Sequence, residues 1–275
     1  MKRILEKAIL LLVLYLVVGA MLDQFVFPEA APDESYYPPV GYVFVSETEG
    51  FEQRILGRDN GMFWLELTLR PHATGPPEHI HTSFSERFIV AEGTLSLMAD
   101  GEVRQLGPSE SFLVTPGMPH KPFNETDEPV VVRGPLTKEY AIPELFSVFL
   151  IQVYGFFDED PANEQAPKAL LQMSRFSPVY DSWLADPPVP VQRVLYHATG
   201  PTARLLGYRS YYPRFKPRRG VGRIARFAAG AVEEVGEGTD PSGETPGGAG
   251  SVNLAGLSTQ AHACGSEFVR WGLKS

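Results

Sequence analysis

The sequence predicts an all-β sandwich or barrel, preceded by an N-terminal hydrophobic helix and followed by a mostly helical C-terminal extension. Short segments of strand-like composition follow one another between residues 41 and 135, with turn signals between them. An uncharged apolar run precedes them, and apolar residues recur at mixed, helix-like spacing after them. A chain of 275 residues with 43% hydrophobic residues can bury a core of this kind.

The first segment, residues 1–27, has the composition of a signal peptide or a membrane anchor. Three basic residues precede the apolar run over residues 8–22. The run is shorter than the roughly 20 residues of a bilayer-spanning helix, and it suits the core of a signal peptide. Apolar residues resume at Phe25, so an uncleaved anchor could reach spanning length. The basic residues would stay in the cytoplasm and the barrel outside it. A buried helix is the alternative.

The barrel is predicted over residues 41–135, after a linker over residues 28–40 that is rich in proline, alanine and acidic residues. Residues 62–70 alternate between apolar and polar side chains, as in a half-buried strand. The pair Asp100-Gly101 indicates a tight hairpin. Further strands are predicted at residues 84–90, 94–98, 102–106, 111–115 and 130–133.

Three histidines and one glutamate in this region have the order of a set of metal ligands. His79 and His81 are two residues apart, so on an extended strand their side chains point to the same face. A short loop could return Glu86 beside them, and a later strand could add His120. Any one of these residues could be an ordinary surface side chain, but the combination favours a metal site.

With these residues the sequence resembles the cupin superfamily. The first cupin motif is His-x-His, a gap of three or four residues, Glu, a gap of six and Gly, and residues 79–93 match it. The second motif ends in Gly, two residues, His, three residues and Asn, and residues 117–124 match it. Ala73, Ser109 and Thr115 stand where the family has two glycines and a proline. Those differences concern turns and leave the ligands complete.

The resemblance covers roughly residues 60–135 and implies a double-stranded β-helix, the jelly-roll barrel of a single-domain cupin. It also implies that His79, His81, Glu86 and His120 bind a metal. Three neutral imidazoles and a carboxylate suit a divalent transition ion and leave one or two coordination positions open. Iron, manganese, nickel, zinc and copper all remain candidates.

The resemblance is compatible with several classes of function. Cupins with this ligand set include dioxygenases, so the first hypothesis is a metal-dependent, dioxygenase-like enzyme acting on a small organic molecule. Glu86 would be a plain ligand or a catalytic general base. The alternatives are a non-catalytic cupin that binds a sugar or an organic acid through a structural metal, and a cupin isomerase.

The candidate substrate pocket consists of residues on the same strand face and on neighbouring strands, although ordinary barrel packing would explain most of them. They are Trp64, Glu66, Phe88, Met98, Phe112 and Asn124. A net charge of −9 argues against a nucleic-acid partner. The single cysteine, Cys264, excludes an intramolecular disulfide and a cysteine-rich metal cluster.

Two further segments follow the barrel. Residues 136–212 are predicted to form helices over residues 145–157 and 168–176, and helix and turn around Gly200-Pro201. We expect them to pack on the barrel or across the partner of a homodimer. Residues 213–275 begin with a basic cluster and become rich in glycine, serine and threonine, which predicts disorder. The abrupt change raises the hypothesis that this tail is read out of frame.

Overall fold

In a computed structural model the chain is described over residues 2–217. Almost all of the predicted tail, residues 213–275, therefore lies outside the described residues, as does Cys264. The helices of the described part are α1 (Lys2–Met21), α2 (Glu144–Glu159), α3 (Lys168–Tyr180) and α4 (Val189–Leu205). The strands are β1 (Val43–Ser46), β2 (Phe51–Asp59), β3 (Met62–Leu69), β4 (His79–Ile80), β5 (Glu86–Glu92), β6 (Leu95–Ala99), β7 (Glu102–Leu106), β8 (Ser111–Val114), β9 (His120–Phe123), β10 (Val130–Arg133), β11 (Ile142–Pro143) and β12 (Trp183–Leu184).

These strands form two antiparallel sheets, as expected of a cupin fold. The larger sheet has the order β1-β2-β3-β10-β5-β8, with β11 paired to β3, and the smaller sheet has the order β12-β4-β9-β6-β7. Asp100 and Gly101 both have positive φ and turn the chain tightly between β6 and β7, as the sequence predicts. Alternate side chains of both sheets, including Phe51, Phe63 and Leu97, are buried in one hydrophobic cluster.

The helical extension packs on the sheets and belongs to the same hydrophobic cluster, through residues such as Phe146, Phe149 and Phe176. It also adds a strand, because β12 pairs with β4 at the edge of the smaller sheet. No strand was predicted there from the sequence. The turn predicted around Gly200-Pro201 is also wrong, since α4 continues through both residues. Both are buried, and tertiary packing outweighs the weak helix propensity of this pair.

The N-terminal helix differs from the other three because none of its residues is buried. Together with a π-helical turn it forms one helix, Lys2–Val26, whose length and composition would allow it to cross a membrane. Residues 28–40, predicted as a linker, lie against the helical extension. Within them Tyr36 is buried and its ring meets Tyr211 edge-on, with the centroids 4.7 Å apart.

Candidate metal centre

The structure brings together the four predicted ligands, which come from three strands. The antiparallel pairing of β4 with β9 places His79 opposite His120. His81 directly follows β4, and Glu86 is the first residue of β5. One donor atom of each of the four residues lies within 4.8 Å of the others. His81 and His120 are almost fully buried, while His79 and Glu86 border a cavity.

Backbone carbonyl groups determine which nitrogen of each imidazole carries the proton. The Nδ1 atoms lie within hydrogen-bonding distance of such oxygens: His79 of Pro77 at 2.9 Å, His81 of Asp181 at 2.8 Å and His120 of Met118 at 3.1 Å. Because a carbonyl oxygen can only accept, each Nδ1–H must donate. A neutral imidazole then has a lone pair on Nε2, which is the state that binds a metal.

The Nε2 atoms and the Glu86 carboxylate fit a bound cation. Nε2 of His120 lies 3.2 Å from Oε2 of Glu86, and Nε2 of His81 lies 3.7 Å from the same oxygen. Nε2 of His81 is buried and has no hydrogen-bond partner among the described residues. A proton shared between His120 and Glu86 would satisfy that pair and still leave His81 without a partner. A metal ion would satisfy all of these acceptors at once, so the donor set fits one.

The ionisation states of the ligands agree with this interpretation. Burial lowers the pKa of His79 well below its usual value, and the neighbouring His120 and His81 lower it further. Burial also lowers the pKa of His81. Burial alone would raise the pKa of Glu86, but the contact with His120 and the electrostatic attraction of the two nearby imidazoles hold it below its usual value. Neutral imidazoles beside an ionised carboxylate are the forms that a divalent cation requires.

Asp181 supports the site from the helical extension, and no motif in the sequence identified it. It ends α3 in the left-handed conformation, with φ of 52°. Its backbone oxygen accepts from His81, and its carboxylate accepts from the backbone and hydroxyl groups of Thr82 and Ser83 at 2.6 to 2.8 Å. The Trp183 indole donates to the same carboxylate at 2.8 Å. Asp181 therefore holds both His81 and the loop that follows it.

Aromatic rings form the wall behind the ligands. Phe84 stacks on His81 with the ring centroids 4.3 Å apart, and Phe146 of α2 meets the same imidazole edge-on at 4.8 Å. The ring centroid of Phe88 lies 6.1 Å from that of His120. These rings exclude water from one side of the imidazoles and restrict their rotation. No feature of the sequence indicated that Phe146 would lie at the ligands.

A cavity of about 180 Å³ adjoins the site. Most of its lining is aromatic or aliphatic, and the aromatic lining residues are Phe51, Trp64, Phe88, Tyr140, Phe146, Phe149, Tyr154, Phe157 and Trp183. Charged side chains also line it, and among these Glu49 was not predicted. Burial, with the charge of Glu164, raises the pKa of Glu49 to about 8. Glu49 is thus a carboxyl group that is largely protonated at neutral pH.

The predicted pocket residues have different positions in the structure. Trp64 and Phe88 line the cavity, whereas Glu66, Met98, Phe112 and Asn124 are not among the lining residues. Glu66 pairs with Arg133 at 2.9 Å. The side-chain amide of Asn124 donates to two backbone oxygens, and its oxygen accepts from Thr126.

The remaining two predicted pocket residues, Met98 and Phe112, lie on β6 and β8. Met98 alternates with the buried Leu97 and Ala99 along β6, so its side chain points to the opposite face from theirs. Phe112 lies beneath the guanidinium of Arg104, whose Cζ is 5.2 Å from the ring centroid. Neither residue adjoins the cavity. Both were predicted from their strands alone, and the stacking of the two sheets determines which strand faces border the cavity.

The part of the chain that contains the four ligands matches a known protein family. Residues 65–136, which include all four ligands, match the family model described as the cupin domain. These residues form a cupin domain. The resemblance inferred from the two motifs is thereby confirmed. No curated protein matches the sequence.

Solved structures similar to this chain cover about a third of it. One is TT1209 from Thermus thermophilus, 19% identical over 33% of this chain and 85% of that chain, with a TM-score of 0.30. Another is the cupin domain of an XRE family transcriptional regulator from Enterobacter cloacae, 22% identical over 31% and 98% of the two chains, with a TM-score of 0.27. A third is a recombinant oxalate oxidase in complex with glycolate, 19% identical over 37% and 59%, with a TM-score of 0.29.

Proposed function

We propose that the protein is a metal-dependent, dioxygenase-like enzyme that acts on a small organic molecule. One observation supports this most directly. Three imidazoles are held by Nδ1–H bonds to backbone oxygens, so that their Nε2 atoms gather around the Glu86 carboxylate at the wall of a cavity. In this proposal His79, His81, Glu86 and His120 hold a divalent transition metal, and the two sheets form a double-stranded β-helix around it.

The metal would be iron, manganese, nickel, zinc or copper, since the donor set suits all of them. When bound, it supplies a Lewis acid and, if it is redox-active, electrons for chemistry with dioxygen. The backbone-anchored imidazoles keep the ligands in place without reorganisation. The buried aromatic wall of Phe84 and Phe146 excludes water from the side of His81.

The cavity favours a compact, ring-bearing substrate. Its volume of about 180 Å³ is small beside the roughly 300–1,000 Å³ of common ligand pockets. Aromatic walls including Trp64 and Phe88 suit the faces of a planar ring. The protonated Glu49 could donate a hydrogen bond to a substrate oxygen, because its pKa is about 8. Glu86 both borders the cavity and faces the histidines, so it could accept a proton from substrate at a carboxylate oxygen.

Metal content tests the first half of this proposal. The full-length chain should contain about one transition-metal ion per protein by elemental analysis, and both His81→Ala and His120→Ala should lose it. His72→Ala is the matched control, because His72 has an exposed side chain paired with Asp127. Retention of metal by both ligand variants would show that the site assignment is wrong.

Oxygen consumption tests the second half. The loaded chain should take up oxygen with a compound from a panel of ring and enediol substrates, and Glu86→Gln should abolish uptake. Bound zinc, without turnover of any compound, would instead support the alternative of a non-catalytic cupin that binds a sugar or an organic acid. Conversion of a sugar without oxygen uptake would support a cupin isomerase.

The proposal places this domain outside the cytoplasm, on a membrane anchor formed by α1. The apolar helix Lys2–Val26, none of which is buried, supports the proposed anchor, and the basic residues that precede its apolar run support the proposed orientation. A homodimer formed through the helical extension stays a prediction, to be measured by the mass of the detergent-solubilised chain.

A further inference from the structure

The second half of α1 lies along α4. Three contacts link them. Tyr15 Oη lies 2.6 Å from Thr202 Oγ1, and Gln24 Nε2 lies 2.7 Å from His197 Nδ1. Gly19 packs against Pro201, where a Cβ added to the glycine would lie 3.1 Å from the proline Cβ. As the chain is followed from Tyr15 in α1 to Gln24 in the π-helical turn after it, the contacted residue in α4 moves back from Thr202 to His197. The C-terminal half of α4 therefore lies beside the second half of α1 and the π-helical turn that follows it.

This contact restricts how α1 can enter a bilayer. The uncharged apolar run, residues 8–22, is about 22 Å long at 1.5 Å per residue, whereas the hydrocarbon core of a bilayer is about 30 Å thick. The whole run is thus needed inside the membrane. Tyr15 lies in its middle. The end of α4 that touches Tyr15 must then reach the same depth, or α1 must separate from it.

The surface of α4 suits such a position. Leu205 and Leu206 are 80% and 64% exposed, and both lie at the end of the helix that Tyr15 contacts. Val194 and Val191, also exposed, continue the same stripe towards the N-terminus of α4 at helical spacing. Large exposed apolar side chains that adjoin one another usually mark a site of interaction. Here the apolar residues of α4 lie near α1, whose own exposed apolar residues would be stabilised by contact with lipid acyl chains.

The polar groups at the junction of the two helices are neutralised. Asp23 forms ion pairs with Arg175 and Arg204, each at 3.0 Å. Arg175 is only 6% exposed and also pairs with Glu29. Charged groups near the hydrocarbon region are tolerated when they are paired and face protein. The junction therefore does not oppose a position at the membrane surface.

We infer that the C-terminal end of α4, centred on Leu205 and Leu206, lies within the lipid bilayer beside α1. The partner is the lipid acyl chains that surround α1, and the cupin domain is held against the membrane by two helices. This rests on the proposed anchoring by α1. Interfacial helices bury their apolar face roughly 5–10 Å into the bilayer, and the contact of Thr202 with Tyr15 places the end of α4 at least that deep.

Site-specific fluorescence in vesicles tests the inference. The full-length chain with Cys264→Ser accepts one environment-sensitive label after Leu205→Cys, Leu12→Cys or Val103→Cys. Leu12 is an exposed residue of α1, and Val103 is an exposed residue of β7, 56% and 51% accessible respectively. Each labelled chain is reconstituted into phosphatidylcholine–phosphatidylglycerol vesicles with or without nitroxide-bearing lipids. Equal metal content of the three chains serves as the control for folding.

We expect nitroxide lipids to quench the labels at Leu205→Cys and Leu12→Cys at least roughly twofold more than the label at Val103→Cys, since only the first two contact acyl chains. Quenching of Leu12→Cys alone would overturn the inference about α4 and leave the anchor intact. No quenching at Leu12→Cys would refute the anchor, and the inference with it. Energy transfer between Leu205→Cys labels on different chains, without lipid quenching, would show that a second copy covers this face.

Discussion

Replacing Asp181 by asparagine is expected to weaken metal binding while the barrel stays folded. The Asp181 carboxylate accepts hydrogen bonds from Thr82, Ser83 and Trp183 at 2.6 to 2.8 Å, and its backbone oxygen accepts from the His81 imidazole. Asparagine has the same shape and tolerates the left-handed conformation. Its amide group, however, would bring an NH₂ against N–H and O–H donors, so the loop that positions His81 would loosen.

The size of the effect follows from these contacts. A hydrogen bond to a charged group contributes about 1.5–3 kcal/mol, but Asp181 is partly exposed, and bonds that share one carboxylate are not additive. We therefore expect a net loss of about 2 kcal/mol, which is roughly 30-fold in an equilibrium constant. Residues that orient metal ligands typically change affinity by about 10–100-fold, and this estimate falls within that range.

The ionisation of Asp181 gives the effect a defined pH range. Burial alone would raise its pKa, but the hydrogen bonds from Thr82, Ser83 and Trp183 hold the pKa below the usual value of 3.8. A carboxyl group whose pKa is lowered in the folded state makes its full contribution to stability at pH values above its unfolded pKa. That contribution is lost as the pH falls through the folded value. The difference between the wild type and Asp181→Asn should therefore be constant at neutral pH.

Competition with a chromogenic chelator for Zn²⁺ measures the dissociation constant of each chain. Asp160→Asn is the matched control, because Asp160 also accepts a hydrogen bond from a backbone N–H, that of Ala162 at 2.9 Å, but caps the short helix Pro161–Glu164. Its side chain contacts none of the four metal ligands. Equal zinc affinities for Asp181→Asn and Asp160→Asn would refute the supporting role of Asp181.

Three further predictions test other parts of the structure. Glu49 has a folded pKa of about 8 against 4.5 for the free group, so stability should fall as the pH rises from 4.5 to 8. Glu49→Gln should remove this decline and raise the free energy of unfolding at pH 8.5 by about 1–2 kcal/mol, measured in urea, whereas the exposed Glu102→Gln should not. Gly93→Ala should cost about 3 kcal/mol, because φ is 79° and the new Cβ would lie 2.5 Å from a backbone oxygen. Gly117→Ala, with φ of 87° and open space around it, should cost only about 1 kcal/mol, and equal losses in thermal melts would contradict this. Phe146→Ala should cost about 3–5 kcal/mol and weaken zinc binding, since the ring packs against a ligand; an unchanged zinc affinity in the folded variant would argue against its role in the site.

The sequence by itself determined the features that depend on local spacing. Two histidines separated by one residue share a strand face because side chains alternate, and this rule alone placed His79 and His81 on the same side of the chain. The Asp100-Gly101 hairpin follows from turn chemistry, since both residues adopt positive φ. The apolar helix near the N-terminus follows from composition. Each of these depends on interactions between residues that are close along the chain.

Only the tertiary structure decided which distant residues complete the site. Asp181 is 100 residues from His81, and no periodicity relates them. β12, Phe146 and part of the cavity wall also come from the helical extension, because their positions depend on how helices pack on the sheets. The predicted pocket residues show the same limit: alternation places Met98 on one face of a strand, but the stacking of two sheets decides which face borders the cavity. α4 likewise passes through Gly200-Pro201 because burial outweighs local propensity there.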